Sequence, residues 1–331
     1  MLKKKLAFLL CVMLILSLTG YAVCKTAGGK KIEDERKEVL LVTSFYPMYL
    51  LAQNLVPEEG KIAVVNLTEN QTGCLHDYQL TAKDMRLLSD ADAFLVNGAG
   101  MELFIESVLE EIKDLSVIEA TKGMTLLEGS AHEHNHEEPE HGREEEADHA
   151  HHEQEKNGHV WMDVIRYREQ ANVAARELQV LFPAYATEIK ESYEQYEEKL
   201  ATLSEEVQLL REEVKGQNVV IFHDAFAYLA DSLSMHVIGV VALDEETVPS
   251  AGEIAELIEE IKYHGGAWIL IEEAYASHAE KIVAETGARV LYLNPLVTGD
   301  GEKNSYLVGM RENIKVIREA VYGEALEGTT E

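Results

Sequence analysis

Cysteine is scarce. The chain carries three, at positions 11, 24 and 74. Cys11 lies inside an N-terminal apolar run, so only Cys74 and Cys24 remain beyond it. Two thiols cannot build a disulfide framework, and a small stapled domain is excluded. Cationic side chains are also few: 29 Lys and Arg stand against 60 Asp and Glu, a formal charge of −31. That balance argues against nucleic acid and against anionic membrane surfaces. It suits a chain that handles cations, although surface acidity alone is not a binding site. After Leu18 no stretch is apolar for long enough to span a bilayer. The only His-Glu-x-x-His string, His132 to His136, falls in a low-complexity polar tract without helical periodicity, so the helical signature of a zinc hydrolase with its built-in base is missing.

One segment lacks apolar side chains almost entirely. Between Ala131 and Lys156 the chain reads AHEHNHEEPEHGREEEADHAHHEQEK, with seven of the thirteen histidines interleaved with ten acidic residues. Nothing there can bury enough surface to offset ordering entropy, so a mobile loop is expected. A plain solvated linker favours Glu, Lys, Ser and Pro. Histidine enrichment points instead to weak, multi-site binding of zinc, copper or nickel. Such a tract specifies no unique geometry and cannot by itself be a selective site.

What is present elsewhere is enough for real cores: 46% hydrophobic residues in 331, with room for two domains. Residues 1–24 read as a signal peptide. Lys3-Lys4-Lys5 is a positive start, Leu6 to Leu18 an apolar stretch of leader length, and Thr19, Gly20 and Ala22 are small. Export follows, to the periplasm or the cell surface. Cys24 is a candidate lipidated cysteine, though Tyr21-Ala22-Val23 fits the usual small-residue pattern poorly. An uncleaved anchor and free secretion are the alternatives. Residues 25–38 read as a charged tether.

From Val39 the chain alternates short β-branched runs with helical periodicities. Strands are expected at 39–44, 61–67, 93–96 and 116–119, then again at 218–222, 236–241, 267–271 and 289–293. Each half is a four-fold β/α alternation, which implies an α/β fold with two (β/α)4 lobes and mainly parallel sheets. The expected N-terminal lobe spans 39–162, including the His-rich loop 131–156, and the C-terminal lobe spans 217–331. Between them, 163–216 reads as connecting helices. Asp163 caps the first, and Pro183 restarts a second that Gly216 terminates. Some 33 residues of helix would make a rigid strut roughly 50 Å long. A coiled coil is the alternative, but the heptad signal covers only the later turns.

Ligands of open parallel sheets bind beyond the carboxyl ends of the strands. Three histidines fall there. His76 follows the second strand, His159 follows the fourth across the His-rich loop, and His223 directly follows the first strand of the second half. Each alone would more often be a packed or hydrogen-bonded core histidine. Three at matching edges can meet only in the cleft between lobes. His236, His264 and His278 read as structural or surface residues.

The segments His76-Asp77-Tyr78, His159-Val160-Trp161, His223-Asp224-Ala225-Phe226 and Asn294-Pro295-Leu296 resemble the metal-specific solute-binding proteins of bacterial ABC importers. The acidic His-rich loop before His159 resembles the zinc-importing branch. The resemblance runs from about Val39 to Val321, with the motifs in the family's order. It implies two α/β lobes joined by a rigid helix, Zn2+ as transported ligand between them, and His76, His159 and His223 as metal ligands. It also implies an ABC permease as partner, no enzymatic reaction, and a monomer. The fourth ligand position departs from the family: Val297 stands where some zinc-type members have Glu, and Asn304 where the manganese branch has Asp. Asp300, Glu272, a residue of the His-rich loop and water are candidates for it. Asp77, Asp224 and Glu272 are candidates to orient the ligands. Cys74, close to His76, reads as simply buried. A zinc hydrolase with a three-histidine site and bound water, and a zinc-stabilised surface adhesin, are the rival readings.

Overall fold

The computed structural model describes residues 38–59, 62–68, 75, 78–129, 156–241 and 249–327. The leader, Cys24, tether residues 25–37, Cys74, His76, Asp77 and residues 131–155 of the His-rich loop lie outside the described residues.

The first sheet is assembled from β1 (Val39–Thr43), β2 (Ile62–Asn66), β3 (Ala93–Val96) and β4 (Val117–Glu119), in the order β2-β1-β3-β4, all parallel. The central pair reads VLLVT and AFLV, and β3 is buried at every position. Such unbroken apolar runs belong to strands covered on both faces. Helices α1 (Tyr46–Leu55), α2 (Ala82–Asp90) and α3 (Ile105–Glu111) connect them. Pro47 sits in the first turn of α1, where its missing N–H is no loss. Thr81 and Asp84 form a capping box on α2: the Thr81 hydroxyl accepts from the Asp84 amide, and the Asp84 carboxylate accepts from the Thr81 amide.

The second sheet repeats that order. It comprises β5 (Asn218–Ile221), β6 (His236–Val240), β7 (Trp268–Ile271) and β8 (Arg289–Tyr292), arranged β6-β5-β7-β8 and again parallel throughout. Its helices are α6 (Ala225–Ser232), α7 (Ala251–Tyr263), α8 (Ala276–Thr286) and α9 (Ser305–Glu327), while α4 (Val164–Leu181) and α5 (Ala186–Val214) belong to the segment between the sheets. The expected two-lobe α/β architecture is the one found.

That middle segment differs from the expectation in one respect. Helix α4 runs Val164–Leu181, capped by the Asp163 carboxylate, which accepts from the amides of Ile165 and Arg166. Helix α5 runs Ala186–Val214, 29 residues, because Pro183–Tyr185 forms a separate 3-10 turn. At 1.5 Å per residue α5 is roughly 43 Å long. Gly216 follows it with φ +78, the left-handed conformation that ends a helix. It is not a bare strut. Ile189, Tyr196, Leu200, Leu203, Val207, Leu210 and Val214 are buried along its length. They pack on α4, on α1 of the first lobe and on α9 of the second. One continuous apolar core therefore joins Leu41 and Leu95 of the first sheet to Leu270 of the second through Leu203 and Tyr306. The described residues from Val39 onward form one compact unit. Among the described residues no helix is long and apolar enough to cross a membrane.

Candidate metal centre

His159 and His223 come together at the carboxyl edges of the two sheets, with ring centroids 4.9 Å apart and ring planes at 76°. The two arrive by different routes. His223 is the second residue past β5, at the entry to α6. His159 lies 40 residues past β4 and immediately before a 3-10 turn at Val160–Met162.

His159 is held tightly and is only 3% exposed. Asn157 Oδ1 accepts from its backbone amide at 2.9 Å and lies 3.0 Å from its Nδ1. The Asn157 amide nitrogen donates to the Asp224 carbonyl at 2.9 Å, which identifies Oδ1 as the oxygen. Nδ1 of His159 is then the proton donor and Nε2 carries the lone pair. The residue before it, Gly158, must be small. A Cβ there would sit 2.9 Å from the Met101 methyl and 3.2 Å from the Ala99 carbonyl oxygen. The Gly158 carbonyl accepts from Asn97 Nδ2 at 2.9 Å, and Asn97 Oδ1 accepts from Gln170 at 2.8 Å.

Behind Asn97 lies a buried acid. Glu102 is 3% exposed and its carboxylate accepts from the amides of Asn97 at 2.7 Å and Gly98 at 2.9 Å. Burial pushes its pKa up from 4.5 to about 7 against the opposing pull of those amides.

Trp161 completes the brace. It is fully buried, stacks edge-on with Phe45 at 5.0 Å, and donates from Nε1 to the Pro295 carbonyl at 2.8 Å. The Asn294-Pro295-Leu296 segment is built to receive it. Asn294 Oδ1 accepts from the Leu296 amide at 2.7 Å, closing a tight turn, and Leu296 takes φ +61. A bulky residue there costs on the order of 1–2 kcal/mol. Two bonds to Asn313, from the Asn294 amide and to its carbonyl, hold the turn shut. Tyr306 donates to the Trp161 carbonyl at 2.8 Å. A motif that in the sequence carried only the family resemblance is thus a clamp from the second lobe on the loop that carries His159.

His223 has a carboxylate for a neighbour. Its Nδ1 lies 3.0 Å from Glu272 Oε1. An ionised carboxylate only accepts, so Nδ1 donates and Nε2 again keeps the lone pair. This is the orienting position anticipated for Glu272. A groove of about 460 Å3 is lined by Asn157, Asp224, Glu128 and Asp231 together with apolar residues such as Ile221, Met235 and Val240, and neither histidine lines it.

The other candidates sort as follows. Asp300 is exposed and accepts from the Glu302 amide at 3.0 Å and from the Ser305 hydroxyl, which occupies it in the turn before α9. Asn304 meets Lys199 at 3.5 Å. Asp224 contributes its backbone carbonyl to Asn157. His236 pairs with Asn218 at 3.0 Å, His264 with Glu260 at 3.6 Å, and His278, on α8, faces Tyr275 in the preceding 3-10 turn. Among the described residues no group of three or more His, Cys, Asp or Glu side chains is arranged to hold a metal ion. The third expected histidine, His76, lies outside those residues. Its flanks do not: Leu75 is buried in the shared core, and Tyr78 donates to Asp84 at 2.9 Å, tying the segment to the cap of α2. Asn157, Asn97 and Tyr228 were not anticipated. Asn157 next to Gly158 reads as turn chemistry in the sequence, and only burial marks it as more.

Residues 41–320 match the family described as ZnuA, zinc-uptake complex component A, periplasmic. The chain belongs to this family. It is similar to the high-affinity zinc uptake system protein ZnuA of Bacillus subtilis, with 28% identity over 313 residues, covering 91% of this chain and 93% of that one. It is also similar to the zinc-binding protein AdcA of Streptococcus pyogenes serotype M3, with 28% identity over 320 residues. That match covers 93% of this chain and 61% of the relative, so the chain spans about three fifths of AdcA's length. Among solved structures it is similar to the Zn(II)-bound ZnuA-like domain of Streptococcus pneumoniae AdcA. There the TM-score is 0.66 at 25% identity, covering 86% of this chain and 98% of that one.

Proposed function

We propose that this chain captures Zn2+ outside the cytoplasmic membrane and delivers it to an ABC permease. In this reading the ion is cargo, held between the lobes by Nε2 of His159 and His223 together with His76. The carrying observation is the histidine pair. Two imidazoles that bind one zinc at about 2.0–2.1 Å across a tetrahedral angle place their ring centroids roughly 5 Å apart. The pair stands at 4.9 Å, and in each ring an oxygen acceptor on Nδ1 directs the lone pair of Nε2 outward. Neutral nitrogen donors in such a set suit zinc better than manganese, which favours more oxygen. Water, Glu272 or a residue of the His-rich loop completes the coordination.

The protein works as a carrier. Family membership supports this over a hydrolase, and so does the set of donors, which comes from two separate lobes. Its place is extracytoplasmic, in keeping with the leader-like start and the lipoprotein named among its relatives; attachment through Cys24 belongs to the same proposal. The test is a competition titration of full-length protein, purified without added metal, against a chromophoric zinc chelator. One tight equivalent that disappears in His159→Ala is the expected result. Tight binding that survives that change would place the site elsewhere.

A further inference from the structure

Asn157 touches both halves of the site. Its side-chain oxygen holds the backbone amide and Nδ1 of His159 at 2.9 and 3.0 Å. Its side-chain nitrogen crosses to the second lobe and donates to the carbonyl of Asp224 at 2.9 Å. Asp224 is the residue after His223. One planar amide therefore bridges the two histidine-bearing segments, its acceptor end on one and its donor end on the other. Its own backbone is fixed as well. The Asn157 carbonyl accepts from the Tyr228 hydroxyl at 2.8 Å, and that hydroxyl in turn accepts from the Leu127 amide at 3.0 Å. The Asn157 amide donates to the Leu127 carbonyl at 2.9 Å. The side chain is 4% exposed, so water does not compete for these bonds.

We propose that Asn157 is a positioning residue of the metal site: it selects the nitrogen that His159 presents and sets the spacing between His159 and His223. This rests on the zinc-carrier reading above for its purpose, but its first effect is visible without metal. No other side chain of this length can do both tasks. Aspartate keeps the acceptor and loses the donor, leucine keeps the volume and loses both, and glutamine is one methylene too long. The fixed imidazole of His159 is ready to bind before zinc arrives, so ordering it costs nothing further at the moment of capture.

The experiment uses full-length, metal-free protein with 15N-labelled histidine. Nitrogen shifts of His159, assigned by comparison with His159→Ala, report which ring nitrogen carries the proton. Wild type is expected to show the Nδ1–H form. Asn157→Leu is expected to lose that preference, and Asn157→Asp to regain it because the acceptor returns. A residue that only supported packing would not move the tautomer in this pattern. Zinc competition on the same samples is expected to show a roughly ten- to hundredfold weaker site in Asn157→Leu, the range for loss of a group that orients a ligand. An Nε2–H form in the wild type overturns the proposal without recourse to any variant that fails to fold. So does a folded Asn157→Leu with the wild-type tautomer and affinity within about twofold, far short of that range. Wild type with the Nδ1–H form but no tight zinc would instead overturn the carrier reading while leaving the hold of Asn157 on His159 intact.

Discussion

His159 and His223 leave sheets of the same strand order, β2-β1-β3-β4 and β6-β5-β7-β8, yet the two lobes present them differently. The second lobe uses the simplest device of its fold. A central strand ends, and the next turn carries His223 with a carboxylate, Glu272, behind it. The first lobe places His159 beyond its edge strand, after the excursion that contains the His-rich tract, where no strand can hold it. It compensates with buried polar groups: Glu102 on the Asn97–Gly98 amides, Asn97 on Gly158, Asn157 on His159, and Trp161 in the clamp of the second lobe. A ligand on a strand end inherits its position from the sheet ladder. A ligand on a long connection needs a hydrogen-bonded scaffold of its own, because buried backbone groups there have no ladder to satisfy them.

The comparison breaks first at the histidines. If both are ligands, His159→Ala and His223→Ala should each weaken zinc by about 3 kcal/mol, more than a hundredfold, since each removes one donor of a site worth on the order of 10–16 kcal/mol. Deleting residues 131–153 should lower total zinc stoichiometry and leave one tight equivalent. Isothermal titration of the three variants checks this. A deletion that abolishes tight binding would make the loop itself the site.

Next comes Glu102, the buried acid of the first lobe's scaffold. Glu102 titrates at about 7 in the folded chain against 4.5 ordinarily, so the folded state holds its proton more firmly than the unfolded state. Its contribution to stability is complete below about pH 4.5 and is lost as the pH rises through about 7, a change of about 3 kcal/mol. Chemical denaturation of wild type and Glu102→Gln across that window should show wild type losing stability relative to the variant as pH rises. Parallel curves would mean that Glu102 ionises normally.

A smaller effect is expected at the clamp. Trp161→Phe removes the donor to the Pro295 carbonyl and part of a fully buried ring, and should cost about 2 kcal/mol. A thermal midpoint within a degree of wild type would show that the clamp contributes nothing to holding the lobes.

The smallest expected change sharpens the contrast between a neutral and a charged partner. Glu272→Gln replaces the carboxylate on His223 by an amide of the kind His159 already has. Zinc affinity should fall about tenfold, with the fold unaltered by circular dichroism. An unchanged affinity would make the charge on Glu272 irrelevant to the site.

Much of this was legible in the residues. Strand ends came within a residue or two because buried parallel strands are short unbroken apolar runs, as in VLLVT and AFLV. Asp163 announced its helix by capping chemistry, and Gly216 announced the end of the next. Those signals are local, so chain order alone carries them. The crevice followed too, since the carboxyl edge of a parallel sheet is set by strand direction, and that edge singled out His159 and His223. Tertiary structure decided what depends on meeting across the chain. Asn157 and Asp224 are 67 residues apart, and Trp161 and Pro295 are 134 apart. No periodicity records such pairings. The long helix makes the same point: its presence and its end were readable from composition, but the 3-10 turn that shortens it and its burial against both lobes were not, because burial depends on which other surfaces arrive. The sequence alone determined the elements, their order and the edge where histidines gather. Packing alone decided which nitrogen each histidine presents, because a tautomer is chosen by the hydrogen-bond partner that the fold brings alongside it.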